Sequence, residues 1–262
     1  MRKNEFKKLL QSGKHGLNGW IAVPNSYQAE VYAAQGFDAC TIDMQHGAPQ
    51  MSDVIPLLQA ISLSGVTPMV RVPWNEPSHI QRVLDMGAYG VICPMINTKA
   101  EAEAFVSSGR YPPMGARSNG PYRASQYGGA DYQPNANDEI MLFAMIETRE
   151  AMKNLDAILS VPGLDGTYVG PSDLSLSYGR PAILDVTDPE VLAEMKAIAQ
   201  KTRKAGKIAG AHTDGAKTAK KRFDEGYHFC TLFNDIRVLA MAAQNMVREA
   251  RGLEKAEASK SY

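Results

Sequence analysis

The sequence predicts an α/β protein built as a single (β/α)8 TIM-type barrel. Short apolar runs alternate with longer segments of helical period, and the alternation repeats eight times along the chain. The 262 residues match the typical barrel length of about 250 residues. No Gly-rich fingerprint follows the first strand, which disfavours an open dinucleotide-binding sheet.

Taken in order, Leu17–Val23 reads as the first strand, with helix formers at Gln28–Ala34. Ala39–Asp43 (ACTID) is the second strand, and Val54–Ser64 places apolar residues at helical spacing behind it. Thr67–Val72 is the third strand and Ser78–Met86 its helix; Gly90–Cys93 is the fourth, followed by Lys99–Ser107. The rhythm then breaks. Arg110–Asn137 is rich in Gly, Pro, Tyr, Asn and Arg, shows no period, and reads as a long functional or mobile loop. Met141–Ile146 resumes as the fifth strand, with the helix Glu150–Leu159, and Gly166–Val169 is the sixth. The long helix Pro189–Lys204 leads to the seventh strand at Ile208–Ala211, backed by the helix Ala216–Glu225. Phe229–Leu232 is the eighth strand and Asp235–Arg251 the closing helix. The expected domain is thus residues 1–253, and 254–262 is expected to be a polar, frayed tail.

Apolar residues make up 44% and charged residues 21% of the chain, and 28 basic residues balance 28 acidic ones. A net charge of zero leaves no electrostatic footprint for nucleic acid or an anionic membrane. The composition also argues against a disordered, collagen-like or disulfide-stapled protein. Cys40, Cys93 and Cys230 are odd in number, match no zinc spacing and sit in or beside apolar strands. They read as buried and reduced, which suits a cytoplasmic setting. The basic start lacks an apolar stretch after it, so a signal peptide is not expected, and no run of apolar residues is long enough to span a bilayer.

In a barrel the chemistry sits at the C-terminal strand ends. Asp43, Gln45 and His46 end the second strand, Arg71 the third and Glu147 the fifth; Asp173 follows the sixth, and His212 with Asp214 the seventh. Carboxylates and basic groups from separate strands thus converge on one rim. Glu147 and Asp173 are 26 residues apart, about one strand–helix–strand unit, which puts both carboxylates on neighbouring strand ends. Two oxygen ligands with room for water and substrate describe a site for a hard divalent cation. Each alone also reads as a helix cap or turn residue. Gly170–Ser175 reads either as an ordinary turn or as a short helical start whose amides meet an anion. His46 is a candidate general base if a carboxylate orients it. Asp85, in the helix after the third strand, is a candidate for that carboxylate or an ordinary surface aspartate. Arg71 inside an apolar strand requires an anionic or carbonyl partner. In the long loop, Arg117, Tyr122, Arg123 and Tyr127 either meet a polar substrate tail or serve subunit packing and solvation.

Six segments resemble one family: Thr41–Gly47 (TIDMQHG), Met69–Pro73 (MVRVP), Leu84–Ala88 (LDMGA), Pro113–Arg117 (PMGAR), Met145–Thr148 (MIET) and Val169–Ser175 (VGPSDLS). They are similar, in order and over nearly the whole chain, to the HpcH/HpaI aldolases, class II metal-dependent pyruvate aldolases related to 4-hydroxy-2-oxoheptane-1,7-dioate aldolase. The resemblance implies a divalent cation (Mg²⁺, Mn²⁺ or Co²⁺) held by Glu147 and Asp173. It implies His46 and Asp85 as the acid/base pair and Arg71 on the keto or enolate oxygen. It implies that the amides of Ser172 and Asp173 receive the pyruvate carboxylate. It also implies a homohexamer, a trimer of dimers, in which the last helix packs on a neighbouring subunit. The expected reaction is reversible cleavage of a 4-hydroxy-2-oxo acid to pyruvate, or a close 2-oxo acid such as hydroxypyruvate, and an aldehyde. Alternatives are a citramalyl- or malyl-CoA-type lyase and a catalytically silent 2-oxo-acid-binding protein. Gln45 stands where the family often has Glu, Met145 where many have Gln, and Ser118 where Gly is usual. The first two bear on pocket polarity, the third on the conformation of the loop after Arg117.

Overall fold

A computed structural model describes residues 1–254; of the expected tail, all but Glu254 lies outside the described residues. Eight parallel strands close into a barrel in chain order. They are β1 (Gly16–Ile21), β2 (Ala39–Asp43), β3 (Thr67–Arg71), β4 (Gly90–Cys93), β5 (Met141–Met145), β6 (Gly166–Val169), β7 (Ile208–Thr213) and β8 (Phe229–Asn234). Strand positions agree with the sequence reading to within about two residues, the scatter expected of element ends. The seventh and eighth strands run two residues further than expected, because the ladder continues through His212↔Thr231 and Thr213↔Leu232. His212 is therefore a strand residue, not part of the loop after it.

Helices α1 (Glu5–Gln11), α2 (Ser26–Ala33), α3 (Val54–Leu63), α4 (Pro77–Asp85) and α5 (Lys99–Gly109) precede the long connection, which itself holds α6 (Tyr122–Gly128) and α7 (Tyr132–Glu139). Then come α8 (Arg149–Lys153), α9 (Leu155–Leu159), α10 (Pro171–Ser177), α11 (Pro189–Lys204), α12 (Ala216–Asp224) and α13 (Asp235–Ala250). Three of these lacked a sequence signal. Helix α1, begun by Asn4 accepting from the Lys7 amide (3.0 Å), buries only Phe6 and Leu10. Two apolar residues are too few to show a period, yet they close the barrel floor, Phe6 edge-on to Phe229 at 5.3 Å. Helices α6 and α7 carry Tyr, Asn, Ser, Asp, Gly and Pro, weak helix formers. Arginines hold this segment: Arg110 donates to the Asn137 and Ile140 carbonyls at 2.8 and 2.9 Å. The single helix expected at 150–159 is broken at Asn154, whose side chain leaves the helix to donate to the Asn97 carbonyl at 2.8 Å.

Packing forms two layers. Trp20, Met69, Ile92, Phe143, Tyr168 and Phe229 fill the barrel interior. A larger layer between strands and helices takes Val, Ile and Leu from both, together with the buried free thiols of Cys40, Cys93 and Cys230. The interior is tight enough that a Cβ on Gly210 would lie 2.2 Å from the Phe229 ring. Filling the tube with side chains puts the polar strand ends at its top rim, where substrate has access.

Candidate active site

Parallel pairing sets Asp43 opposite Arg71 at the ends of β2 and β3. Arg71 donates from Nε to Asp43 Oδ1 at 2.8 Å and from Nη2 to Oδ2 at 2.7 Å, with both side chains buried. This two-point pairing is the geometry that favours arginine over lysine. Trp20 Nε1 donates to Asp43 Oδ2 at 3.1 Å, and the backbone amides of Gln45 and His46 donate to Oδ1 at 3.0 and 3.3 Å. Burial pushes the Asp43 carboxyl up. Arg71, Trp20 and the His46 amide outweigh it and hold Asp43 below the usual carboxylate range. The Arg71 guanidinium also lies 4.8 Å over the Trp20 ring. Its plane and charge are thus fixed from two sides.

Glu147 follows β5 and is buried, 2% exposed. Its Oε1 accepts from the Met95 amide at 2.8 Å, presented by a left-handed turn after β4 in which Met95 has φ 55°. Burial, with the Asp173 charge adding to it, raises the Glu147 carboxyl to about 7 against the opposing Met95 amide and Arg71. The two acids therefore act on one region, with Arg71 within electrostatic reach. Gly170 explains how they approach: a Cβ there would lie 2.5 Å from Glu147 Oε2. Only hydrogen leaves the carboxylate its place. Asp173 stands exposed in the first turn of α10, beside the buried Ser172. The amides of Ser172 and Asp173 are too early in the helix to have an i−4 acceptor. Ser172 Oγ and Gln45 Oε1 are buried polar atoms without a protein partner.

A buried, proton-retaining carboxylate beside a second carboxylate fits a divalent cation. The cation would offset both the burial of Glu147 and the repulsion from Asp173. No group of three or more His, Cys, Asp or Glu side chains poised for a metal occurs among the described residues. Glu147 and Asp173 would hold such a cation, leaving its other positions to water or substrate, as Mg²⁺ commonly does.

His46 is exposed at the same rim. Asp85, the last residue of α4, is engaged by Arg117, whose Nη2 donates to Asp85 Oδ1 at 2.7 Å; no His46–Asp85 bond is formed. Arg117 is fully buried, bonded to Tyr132 Oη at 3.2 Å and stacked 4.4 Å from Tyr111. Arg123 donates to the Met86 carbonyl at the end of α4. Both arginines, weighed from sequence as contacts for a substrate tail or as packing and solvated loop residues, fasten the 110–137 segment to α4. Tyr122 is 89% exposed.

His212 lies inside the tube, its Nδ1 3.1 Å from Tyr168 Oη and its ring edge-on to Trp20. Burial, helped by the Arg71 charge, pushes its imidazole down to about 3, so it is neutral near pH 7. Tyr168 donates onward to Thr231 Oγ1 at 2.6 Å, so the His212 ring offers Nδ1–H to Tyr168. His212 is thus enclosed in the tube, whereas His46 is the histidine exposed at the rim.

A family model described as HpcH/HpaI aldolase/citrate lyase matches residues 17–242. The chain belongs to the HpcH/HpaI aldolase/citrate lyase family. It is 40% identical over 250 residues to a hydroxypyruvate/pyruvate aldolase of Rhizorhabdus wittichii, covering 95% of this chain and 100% of the relative. It is 38% identical over 245 residues to a 4-hydroxy-2-oxo-heptane-1,7-dioate aldolase of Shigella flexneri, covering 92% and 91%. A solved HpcH/HpaI aldolase/citrate lyase family protein from Burkholderia cenocepacia superposes with a TM-score of 0.89 at 29% identity, covering 95% of this chain and 100% of that one. The chain is a carbon–carbon lyase of the pyruvate-aldolase kind. No helix among its described residues is long and apolar enough to cross a membrane.

Within this family site, three supporting residues escaped the sequence reading. Met95 binds Glu147 through its backbone, which leaves no trace in side-chain chemistry. Trp20 and Tyr168 are buried in the core; their polar edges matter only because the ladder sets them beneath Asp43 and His212. A Trp one residue before the end of β1 is the available signal for Trp20.

Proposed function

We propose that this protein reversibly cleaves a 4-hydroxy-2-oxo acid to an aldehyde and pyruvate or a close 2-oxo acid such as hydroxypyruvate. Its cofactor in this reading is Mg²⁺, Mn²⁺ or Co²⁺, held by Glu147 and Asp173. The observation that carries the reading is the buried Glu147 carboxylate, raised to about 7 and within electrostatic reach of Asp173 and of the clamped Arg71. When bound, the cation supplies Lewis-acid polarisation of the keto group.

The chain's own residues do the rest. First-turn amides at Ser172 and Asp173, with Ser172 Oγ beside them, receive the 2-oxo acid's carboxylate. Arg71 stabilises the negative charge that develops on the keto oxygen as the C3–C4 bond breaks. Because Asp43 and Trp20 already fix its plane, no reorganisation is required when that charge appears. His46 removes the proton of the C4 hydroxyl. Asp85 is its orienting acid in this reading: Arg117 occupies Oδ1 and steadies the carboxylate, so Oδ2 is the atom that would accept from the imidazole. In the synthetic direction the same groups work in reverse, the methyl proton of pyruvate leaving first. Gln45 and Met145 shape pocket polarity and with it the choice of partners.

Helix α13 supports the expected homohexamer. Of its 16 residues only Asp235 is buried, while Ile236, Leu239, Met246 and Val247 lie exposed. A helix in this state needs a cover, and a neighbouring subunit supplies it. Three buried free thiols suit the expected cytoplasmic setting.

The test is cleavage of a 4-hydroxy-2-oxo acid, followed by pyruvate release. Chelation should abolish it and Mn²⁺, Mg²⁺ or Co²⁺ should restore it. Full turnover after rigorous metal removal rejects the cofactor. Acyl-CoA substrates turned over in place of hydroxy-oxo acids favour a CoA-type lyase, and pyruvate binding without turnover over a broad aldehyde panel favours a silent binder.

A further inference from the structure

At the opposite end of the barrel, the chain enters β1, β7 and β8 around a cavity of about 380 Å³. Lys14 and His15 line it ahead of β1, Arg203 at the end of α11, Lys207 ahead of β7 and His228 ahead of β8. No Asp or Glu is among the lining residues. The acid whose charge Lys207 feels, Asp165, is already engaged by Arg110 and Lys7. Positive charge here is therefore gathered without a carboxylate to balance it. Leu10 and Ile208 give the same cavity an apolar wall.

The His228 ring supplies a second, independent observation. Its Nδ1 accepts from the Ala209 amide at 2.9 Å, so in the neutral ring the proton sits on Nε2. Burial, with Arg203 and His15 adding their charges, lowers this imidazole to about 4, so neutral is its state near pH 7. Arg203 Nη1 stands 3.4 Å from that Nε2. Arg203 Nη1 also donates to the Gly226 carbonyl at 3.2 Å, so a guanidinium nitrogen and an imidazole N–H stand side by side as two donors. One acceptor placed between them would bond both.

We propose that this cavity binds a small phosphate dianion, with Arg203, His228 Nε2–H and Lys14 as its donors and Lys207 completing the positive field. Two or three cationic groups match the dianion's charge, and its several terminal oxygens match donors arriving from different strand ends. The cavity is larger than bare phosphate and falls in the usual range for small-ligand pockets, about 300–1,000 Å³. Its apolar wall leaves room for the carbon portion of a phosphate monoester. The site is remote from the rim chemistry, and its effect is to tie together the feet of β1, β7 and β8.

The test is titration of the intact protein with inorganic phosphate and, separately, glycerol 3-phosphate, against sodium chloride at equal ionic strength. Both phosphates should raise the Tm and give saturable calorimetric binding; chloride should do neither. Arg203→Gln and Lys14→Gln should each weaken phosphate binding tenfold or more while leaving aldol turnover at the rim unchanged. In ¹⁵N-histidine-labelled wild type, the His228 Nε2 resonance should move with saturation, a readout independent of how the variants fold. Tighter binding of the ester than of inorganic phosphate identifies the ester as ligand; equal binding identifies inorganic phosphate. Equal protection by chloride, unchanged affinity in Arg203→Gln, or an unmoved His228 resonance overturns the proposal.

Discussion

Asp43→Asn should be among the most damaging single-atom changes available at the rim. Asp43 accepts five hydrogen bonds: two from Arg71, one from Trp20 and one each from the Gln45 and His46 amides. An asparagine can keep only one acceptor atom. If its NH2 replaces Oδ2, it meets Arg71 Nη2 and Trp20 Nε1; if it replaces Oδ1, it meets Arg71 Nε and two amides. Either orientation sets donor against donor and leaves the buried guanidinium without its counter-charge. Breaking one side of such a buried pair costs about 3–5 kcal/mol. At this chain length that corresponds to a fall in Tm of roughly 6–20 °C. Urea unfolding of the metal-free protein would measure it. Adding Arg71→Met should recover part of the loss, because the uncompensated charge is then gone. The sign with pH is also set. Asp43 is held below its ordinary value, so the pair stabilises the fold above the unfolded value. That stability disappears as pH falls through the depressed folded value, and the gap between wild type and variant should close in acid. A cost under about 1 kcal/mol near pH 7, the range of an exposed pair, would refute the reasoning.

Three further outcomes follow from the same geometry. Glu147 is raised from 4.5 to about 7, so in the metal-free protein folding favours its protonated form. Stability should then decline between those two values as pH rises, by up to about 3 kcal/mol, and Glu147→Gln should remove the decline; parallel pH profiles of the urea midpoint would contradict it. Gly170→Ala puts a methyl 2.5 Å from Glu147 Oε2 and 3.1 Å from Met145 Cε. It should lower the Tm modestly, an overpacking cost of about 1–3 kcal/mol, while metal affinity by calorimetry drops tenfold or more; unchanged affinity would mean the carboxylate has another place to go. Arg117→Met should cost about 3 kcal/mol, speed proteolysis within 110–137 and lower kcat, since Asp85 loses the group that steadies it; unchanged stability with a rise in KM alone would return Arg117 to the substrate.

Much of this molecule was legible from the chain. Strands such as Ala39–Asp43 and Gly90–Cys93 announce themselves because a parallel strand covered on both faces must be apolar throughout. Arg71 was legible for the complementary reason, since a guanidinium closing such a run needs an anionic or carbonyl partner; Glu147 and Asp173, each also readable as a cap or turn residue, stood out only as a pair one strand–helix–strand unit apart. The short helices α1, α6 and α7 were not, since one or two buried side chains create no period, and the segment holding α6 and α7 is anchored by arginines whose acceptors lie elsewhere in the chain. Arg117 and Arg123 show the same limit. A loop arginine looks alike in sequence whether it faces substrate or a helix end, and only the fold shows Asp85 and the Met86 carbonyl within reach.

The sequence by itself determined the barrel, its strand order and the set of polar residues delivered to the rim, because periodicity and strand-end position are local properties of the chain. Tertiary structure decided which of those residues share charge. Asp43 is the clamp of Arg71, Glu147 keeps its proton to about 7, and Asp85 belongs to Arg117. Each of these depends on burial and on partners between 28 and 52 residues away, where the Coulomb field and the loss of water act through space and leave no mark on spacing.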